Sequence, residues 1–326
     1  MRTAFVTGGS GFVGRNLIRA LRARDVAVRA LARSAAAVDA VEACGAQGVR
    51  GDLDDVGALG QALRGCDVVF HCAAVVEEWG PRSLYQRINV DATRDLLAAA
   101  RAARVARFVH VSTEAIYADG SPMADFDETR PLPRRPLPRY PESKNQAEHE
   151  VVAANTPDFA TVICRPRLIW GAGDTSVLPK LVEAAGAGRL AWIDHGRYPT
   201  QSCHIDNVVE GLLLAATNGR GGEAYFLTDG EPVEFRAFLS DLLATQGITV
   251  PDKSVSFRVA YAFGAMCEWL WEHLPLRGAP PVTRMPVALG GQAVTPIDAK
   301  ARRELGYTGG VTRAQGLAAM RAAARA

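Results

Sequence analysis

The sequence predicts an α/β fold, a doubly wound parallel sheet with a smaller substrate-binding region toward the C-terminus, and three observations predict it. The first is the opening. An apolar strand, Thr3-Ala-Phe-Val-Thr7, runs directly into Gly8-Gly-Ser-Gly11-Phe-Val-Gly14 and an apolar-periodic helix from Phe12 to Ala23. The second is rhythm: short β-like runs alternate with helical stretches through the first half of the chain, which is the βαβα pattern of a parallel sheet covered on both faces. The third is size. At 326 residues, 48% hydrophobic and 22% charged, the chain can bury a full core and should make one large domain with a smaller one appended.

Each element follows from its own residues. After the first strand, Gly8 allows a sharp turn and Gly11 lets backbone come close to a pyrophosphate at the positive end of the helix. Gly14 should let that helix pack tightly on the sheet. Ala27 to Ala32, Gly48 to Gly51, Asp67 to His71, Arg107 to Ser112 and Phe159 to Arg165 read as buried parallel strands bounded by turn residues. A helix from about Ser83 to Ala103 carries Leu84, Ile88, Ala92, Leu96 and Ala99 along one face, and a second starts near Tyr140. Between them, Arg130-Pro-Leu-Pro-Arg-Arg-Pro-Leu-Pro-Arg139 can continue neither element and is expected as an extended loop beside the pocket. The division expected is a dinucleotide-binding domain over 1–165 and a mainly substrate-binding region over 166–326, with the chain returning to the large domain near 204–217.

Composition excludes several classes. A net charge of +2 from 37 bases and 35 acids gives no nucleic-acid footprint. The six cysteines show no Cys-x-x-Cys spacing and the six histidines no His-x-x-x-His, so no metal site is expected and the cysteines read as small buried hydrophobes. The first strand begins at residue 2 or 3, leaving no room for a leader, so the cytoplasm is the expected compartment.

The chemistry rests on Tyr140-Pro-Glu-Ser-Lys144. Pro141 suits a first helical position, and the i, i+4 spacing puts Lys144 on the face of Tyr140 one turn along. A nearby ammonium lowers the phenol from its ordinary pKa of about 10. Such a phenol can take the proton of a carbinol as hydride leaves, or give it back in the reverse direction. The strand Arg107-Phe-Val-His-Val-Ser112-Thr113 delivers two hydroxyls to the carboxyl edge of the sheet, where ligands bind in such folds.

With these residues in place the chain resembles the extended short-chain dehydrogenase/reductases, a Rossmann-type family, over nearly its whole length. The markers occur in order: the glycine turn from Thr7 to Gly14, Gly51-Asp52-Leu53, His71-Cys-Ala73-Ala74, Asn89-Val90, Ser112-Thr113-Glu-Ala-Ile-Tyr117, Tyr140-x-x-x-Lys144, Arg165-Pro166-Arg-Leu-Ile-Trp-Gly171 and His204-Ile-Asp206-Asn207-Val208. The resemblance implies a catalytic set of Thr113, Tyr140 and Lys144, with Ser112 as fallback for Thr113. It implies cofactor contacts from Gly8, Ser10, Gly11, Phe12, Val13, Gly14, Asp52, Leu53, Ala73, Ala74, Tyr140, Lys144 and Pro166. It also implies a homodimer through the helices starting near Ser83 and Tyr140.

Cofactor choice turns on the end of the second strand. NAD sites usually place an acid there; this chain has Ala32 and then Arg33, which favours NADP over NAD. Nucleotide-sugar dehydratases of the superfamily follow their threonine with Asp-Glu, whereas here Thr113 precedes Glu114 and Ala115, so the base for elimination is missing. An epimerase would need cations for a diphosphate, and Arg167, Arg189 and Arg197 are the candidates. The aromatic, apolar stretch 255–274 is interrupted by Arg258, Glu268 and Glu272, too soon for a spanning helix. It could be core, a pocket lid, or a peripheral membrane contact.

The pattern is most similar to the 3β-hydroxysteroid dehydrogenase branch. The expected activity is reversible NAD(P)-dependent oxidation of a secondary alcohol in a small hydrophobic molecule, a 3β-hydroxysteroid, a sterol or a long-chain 3-oxo acid. The rival readings are a nucleotide-sugar epimerase using the same residues and a non-catalytic cofactor sensor.

Overall fold

The structure, a computed structural model, describes residues 1–324. The first half of the chain runs β1 (Thr3–Thr7), α1 (Phe12–Arg22), β2 (Ala27–Ala32), α2 (Ala35–Glu42), β3 (Gln47–Arg50), α3 (Val56–Ala62), β4 (Val68–His71), α4 (Arg82–Tyr85), α5 (Ala92–Ala102), β5 (Arg107–Val111), β6 (Met123–Phe126), α6 (Tyr140–Ala153) and β7 (Ala160–Pro166). The second runs β8 (Ile169–Trp170), α7 (Leu178–Gly186), β9 (Trp192–Ile193), β10 (Pro199–Thr200), β11 (Cys203–His204), α8 (Ile205–Asn218), β12 (Ala224–Leu227), β13 (Val233–Glu234), α9 (Phe235–Ala244), β14 (Ser254–Val255), α10 (Phe257–His273), α11 (Arg284–Gly290), β15 (Val294–Pro296), α12 (Ala299–Leu305) and α13 (Arg313–Ala323).

Seven strands make one sheet in the order β12-β7-β5-β4-β1-β2-β3, with every neighbouring pair parallel. This is the doubly wound sheet the sequence predicts. Period-two alternation divides its side chains between two cores. Ala4, Val6, Val68, Phe70 and Val109 pack with Leu17, Ile18 and Leu21 of α1 and Leu212 of α8. Phe5, Val69 and Phe108 point the other way, against Leu59, Leu96 and Val151 of α3, α5 and α6. Leu17, Ile18 and Leu21 are fully buried, and each such side chain contributes about 2 kcal/mol of transfer free energy.

The five expected strands agree with β2, β3, β4, β5 and β7 to within a residue at each end. The helix expected from Ser83 differs. Residues Gln86–Asp91 form a π-helical turn between α4 and α5. The wider turn shifts the buried face: Ala92, Leu96 and Ala99 point inward as expected, but before them Tyr85 and Asn89 are buried, and Leu84 and Ile88 are only half-buried. Later in the chain, α8 packs on β7, β5 and α1, and β12 adds the seventh strand beside β7.

A second sheet has four strands, β13-β10-β15-β6, and takes β6 from within residues 1–165. Helix α10 buries Gly264, Cys267 and Glu268 but leaves Val259, Phe263, Met266 and Trp269 exposed by 44–63%. That outer face is therefore not core. Among the described residues no helix is long and apolar enough to cross a membrane. Five of the six cysteines are buried, Cys72 is half-buried, and all six are unbridged.

Candidate active site

Strand order reverses between β1 and β4, and the carboxyl ends of the two strands open a crevice there. The glycine turn forms one wall. Gly8 has φ +67°, and a Cβ on it would lie 2.6 Å from the Ala73 nitrogen and 2.7 Å from the Cys72 carbonyl carbon. Gly14 departs from expectation in what it touches: its added Cβ would meet the Gly8 oxygen at 2.2 Å and the Gly9 Cα at 2.6 Å. It thus lets α1 pack on the turn's own backbone rather than on the sheet. At Gly11 a Cβ would meet only the Gly8 oxygen, at 3.3 Å, so the outer side is open.

Gly11 caps α1 without a side chain, and no acid lies in the first turn. Exposed Ser10, with Phe12 and Val13, completes this end. First-turn N–H groups with no side-chain cap and no nearby carboxylate fit a pyrophosphate. Beyond it, Arg33 is exposed at the end of β2, beside Ser34, which caps α2 through the Ala37 N–H at 3.2 Å. Asp52 accepts from the Leu53 N–H at 2.7 Å, and Leu53 is buried. Half-buried Ala73 and Ala74 follow β4, and buried Pro166 ends β7. All of the residues assigned to the cofactor by resemblance therefore lie at the carboxyl-end side of one sheet or on the helix α6 beside it.

Tyr140 opens α6, with Pro141 in its first turn. Its half-buried phenol lies beside Thr113, which follows β5. The Thr113 hydroxyl donates to Glu114 Oε2 at 2.9 Å and accepts from the Ala115 N–H at 3.1 Å, so its position is fixed. Ser112 is buried, and its hydroxyl has no partner among the described residues. The expected lowering of Tyr140 is not what the structure shows. Burial raises the phenol pKa, the Glu114 carboxylate raises it further, and only the hydrogen bond with Thr113 opposes them.

Lys144 faces β5 instead. Its ammonium donates to the Val111 carbonyl at 2.8 Å and meets His110 Nε2 at 2.8 Å. Burial is the main cause that brings its pKa down to about 8. Proton counting then orders the layer behind it. Thr93 donates its one hydroxyl proton to the Asn89 carbonyl, so it accepts from His71 Nε2–H at 2.9 Å, and His71 Nδ1 accepts from the Thr7 hydroxyl at 2.7 Å. Burial keeps His71 neutral, its pKa lowered to about 3, and holds His110 well below its ordinary value. A neutral His110 accepting from Lys144 carries its proton on Nδ1, a buried N–H with no partner among the described residues.

Asn89 ties these parts together. It accepts from the Val75 N–H at 2.7 Å and donates to the Val75 carbonyl at 3.0 Å and to the Ser143 hydroxyl at 2.9 Å. The π-helical turn points it inward, so it braces the loop after β4 against α6.

Sequence reasoning missed the pair Glu114–Arg167. Both side chains are at most 4% exposed, with Nη1 to Oε1 at 2.9 Å. Arg167 also donates to the Leu289 carbonyl at 2.7 Å, while Arg189 pairs with Glu183 on the surface. Arg167 is thereby not free for a diphosphate, while Arg197, the third candidate, is exposed and makes no ion pair among the described residues. The available signal was positional: an acid directly after the strand-end threonine and an arginine two residues past Arg165.

Residues 4–227 match the family model described as the NAD dependent epimerase/dehydratase family. Over 323 residues, 99% of this chain and 96% of the relative, the sequence is 52% identical to a 4-hydroxy-2-methyl-3-oxo-4-farnesyl-3,4-dihydroquinoline-1-oxide ketoreductase of Stigmatella aurantiaca. It is 38% identical to a 2-alkyl-3-oxoalkanoate reductase of Stenotrophomonas maltophilia, covering 98% and 99% of the two chains. Among solved structures, a double mutant of DesIV, a dTDP-glucose 4,6-dehydratase of Streptomyces venezuelae with NAD bound, superposes with a TM-score of 0.77 at 26% identity, covering 100% of this chain and 97% of that one.

Proposed function

The chain belongs to the NAD dependent epimerase/dehydratase family, and from that premise we propose that it is a nicotinamide-dependent ketoreductase acting on a hydrophobic ketone. The observation that carries this reading is Tyr140, at the start of α6, set beside Thr113, which follows β5, with Glu114 locked into the Arg167 pair. Thr113 orients the substrate oxygen by turning its hydroxyl proton from Glu114, which Arg167 still holds, to that oxygen. Tyr140, kept protonated by burial and by Glu114, gives that oxygen its proton. A bound nicotinamide cofactor supplies or accepts the hydride. Lys144 and Asn89 hold α6 and the loop after β4 in register.

Elimination of water would need a carboxylate free to move a proton. Both oxygens of Glu114 are engaged, by Arg167 and Thr113. Epimerisation of a nucleotide sugar would have to rely on exposed Arg189 and Arg197 for the diphosphate, because Arg167 is buried in its pair with Glu114.

Three finer assignments belong to this proposal. Arg33, with Ala32 before it, selects NADP over NAD by meeting a 2′-phosphate. The exposed apolar row of α10, flanked by exposed Lys253, Arg258 and Arg277, rests on an anionic membrane surface from which lipophilic substrates arrive. The protein works as a homodimer through α5 and α6.

The test is reduced-nicotinamide absorbance with hydroxysteroids, long-chain 3-oxo acids and nucleotide sugars. Turnover of an apolar ketone, reduced at least hundredfold in Tyr140→Phe, supports the reading. Conversion of a nucleotide sugar with no net redox change rejects it.

A further inference from the structure

A cleft of about 510 Å³ opens beside the start of α6, lined by Trp79, Arg82, Arg139, Trp271 and Glu272. Arg139 directly precedes Tyr140, and it holds φ +69°, a left-handed conformation that is costly for a side chain of its size. Its guanidinium lies over the Trp79 ring at 3.4 Å from the centroid, and its Nε donates to the Gly80 carbonyl at 3.0 Å. The residue is 6% exposed.

A guanidinium buried to this degree normally has a carboxylate partner, because an unpaired buried charge is expensive. Among the described residues Arg139 makes no ion pair. The acids around it are committed elsewhere: Glu272 and Glu142 to Arg82 at 3.1 and 3.5 Å, and Glu268 to Arg284 at 2.7 Å. A second donor lies in the same wall. The Trp271 indole N–H is buried and has no partner among the described residues. An unpaired cation and an unpaired N–H beside one cleft, with an aromatic floor, call for an anionic oxygen on an apolar molecule.

We propose that this cleft is a carboxylate subsite, in which Arg139 and Trp271 hold the acid group of a substrate whose ketone is presented to Tyr140. The assignment of that acid to the substrate rests on the ketoreductase reading. The geometry has a consequence for specificity: the free 3-oxo acid is preferred over its neutral ester or amide. Arg139, one residue from the catalytic phenol, couples the seating of the acid to the position of Tyr140.

Calorimetric titration of the full-length protein with decanoate and with decanamide tests this without requiring turnover. Decanoate should bind at least tenfold more tightly than decanamide. Arg139→Met, which keeps an apolar side chain over Trp79, should remove the preference, and Trp271→Phe should weaken decanoate alone. Equal affinities in the wild type, absence of binding by both probes, or a preference that survives Arg139→Met overturns the subsite. If Arg139→Met fails to fold by circular dichroism, an unchanged preference in Trp271→Phe overturns it instead. Turnover of 2-decanone by the wild type is measured in parallel. Ketone turnover without acid preference rejects the subsite and keeps the reductase, whereas acid preference without turnover of any ketone does the reverse.

Discussion

Replacing Lys144 with methionine should make the ligand-free protein more stable relative to wild type at pH 7 than at pH 10. The side chain is 2% exposed, and burial lowers its pKa from 10.5 to about 8. That displacement corresponds to about 3 kcal/mol of disfavour for the charged form in the fold. Below pH 8 both folded and unfolded chains carry the proton, so the full penalty is present. Between pH 8 and 10.5 the unfolded chain holds more protons than the folded one, so the free energy of unfolding rises with pH and the penalty fades, to about 1 kcal/mol or less at pH 10. Methionine has no such group. It forfeits the bonds to Val111 and His110, a loss of about 1–2 kcal/mol that is nearly the same at both pH values. The neighbours do not intervene: His71 lies at about 3, His110 is well below its ordinary value, Cys72 is raised to about 12 and Tyr140 is raised. Urea unfolding of both proteins at the two pH values measures the difference. The variant's advantage should shrink by about 2–3 kcal/mol from pH 7 to pH 10. An advantage that is the same at both would refute the buried-ammonium argument.

Gly14→Ala should lose nucleotide binding and about 3 kcal/mol or more of stability, because its Cβ would lie 2.2 Å from the Gly8 oxygen; a thermal melt with and without cofactor reads both effects. Arg33→Glu should raise the NADPH KM about tenfold or more while leaving NADH use intact, measured as kcat/KM for each cofactor; equal effects on both would remove the phosphate assignment. Trp269→Glu with Phe263→Glu should abolish co-flotation with vesicles containing anionic lipid, since these side chains are 57% and 44% exposed; a wild type that does not float would sink the membrane contact, and a dimer lost on the same substitutions would give the face to a second copy.

Much of this architecture is legible in short-range pattern. The glycine turn, β2, β4, β5 and β7 are set by local runs of apolar residues between turn signals, and the fold has no reason to move them. The π-helical turn at Gln86–Asp91 was not legible, because a run with one extra residue per turn keeps the same apolar composition while rotating the buried face from Leu84 and Ile88 to Tyr85 and Asn89. Tyr140 and Lys144 stand out by spacing and Thr113 by family resemblance, but their electrostatics are not legible in either. Spacing places Lys144 one turn from Tyr140, yet only the folded sheet supplies His110 and the Val111 carbonyl that draw the ammonium away. The Glu114–Arg167 pair joins residues 53 positions apart and is visible only once β5 and β7 lie side by side. The outer face of α10 was ambiguous for a different reason: an apolar helix reads the same in sequence whether its face is covered or exposed.

The most direct measurement is isotopic. The protein is incubated with reduced cofactor carrying deuterium at both nicotinamide C4 positions and a long-chain 3-oxo acid, and the product alcohol is examined by mass spectrometry. The account predicts one deuterium at the new carbinol carbon in the wild type and no product with Tyr140→Phe. Alcohol formed without the label, or labelled alcohol formed equally well without the Tyr140 phenol, would contradict it.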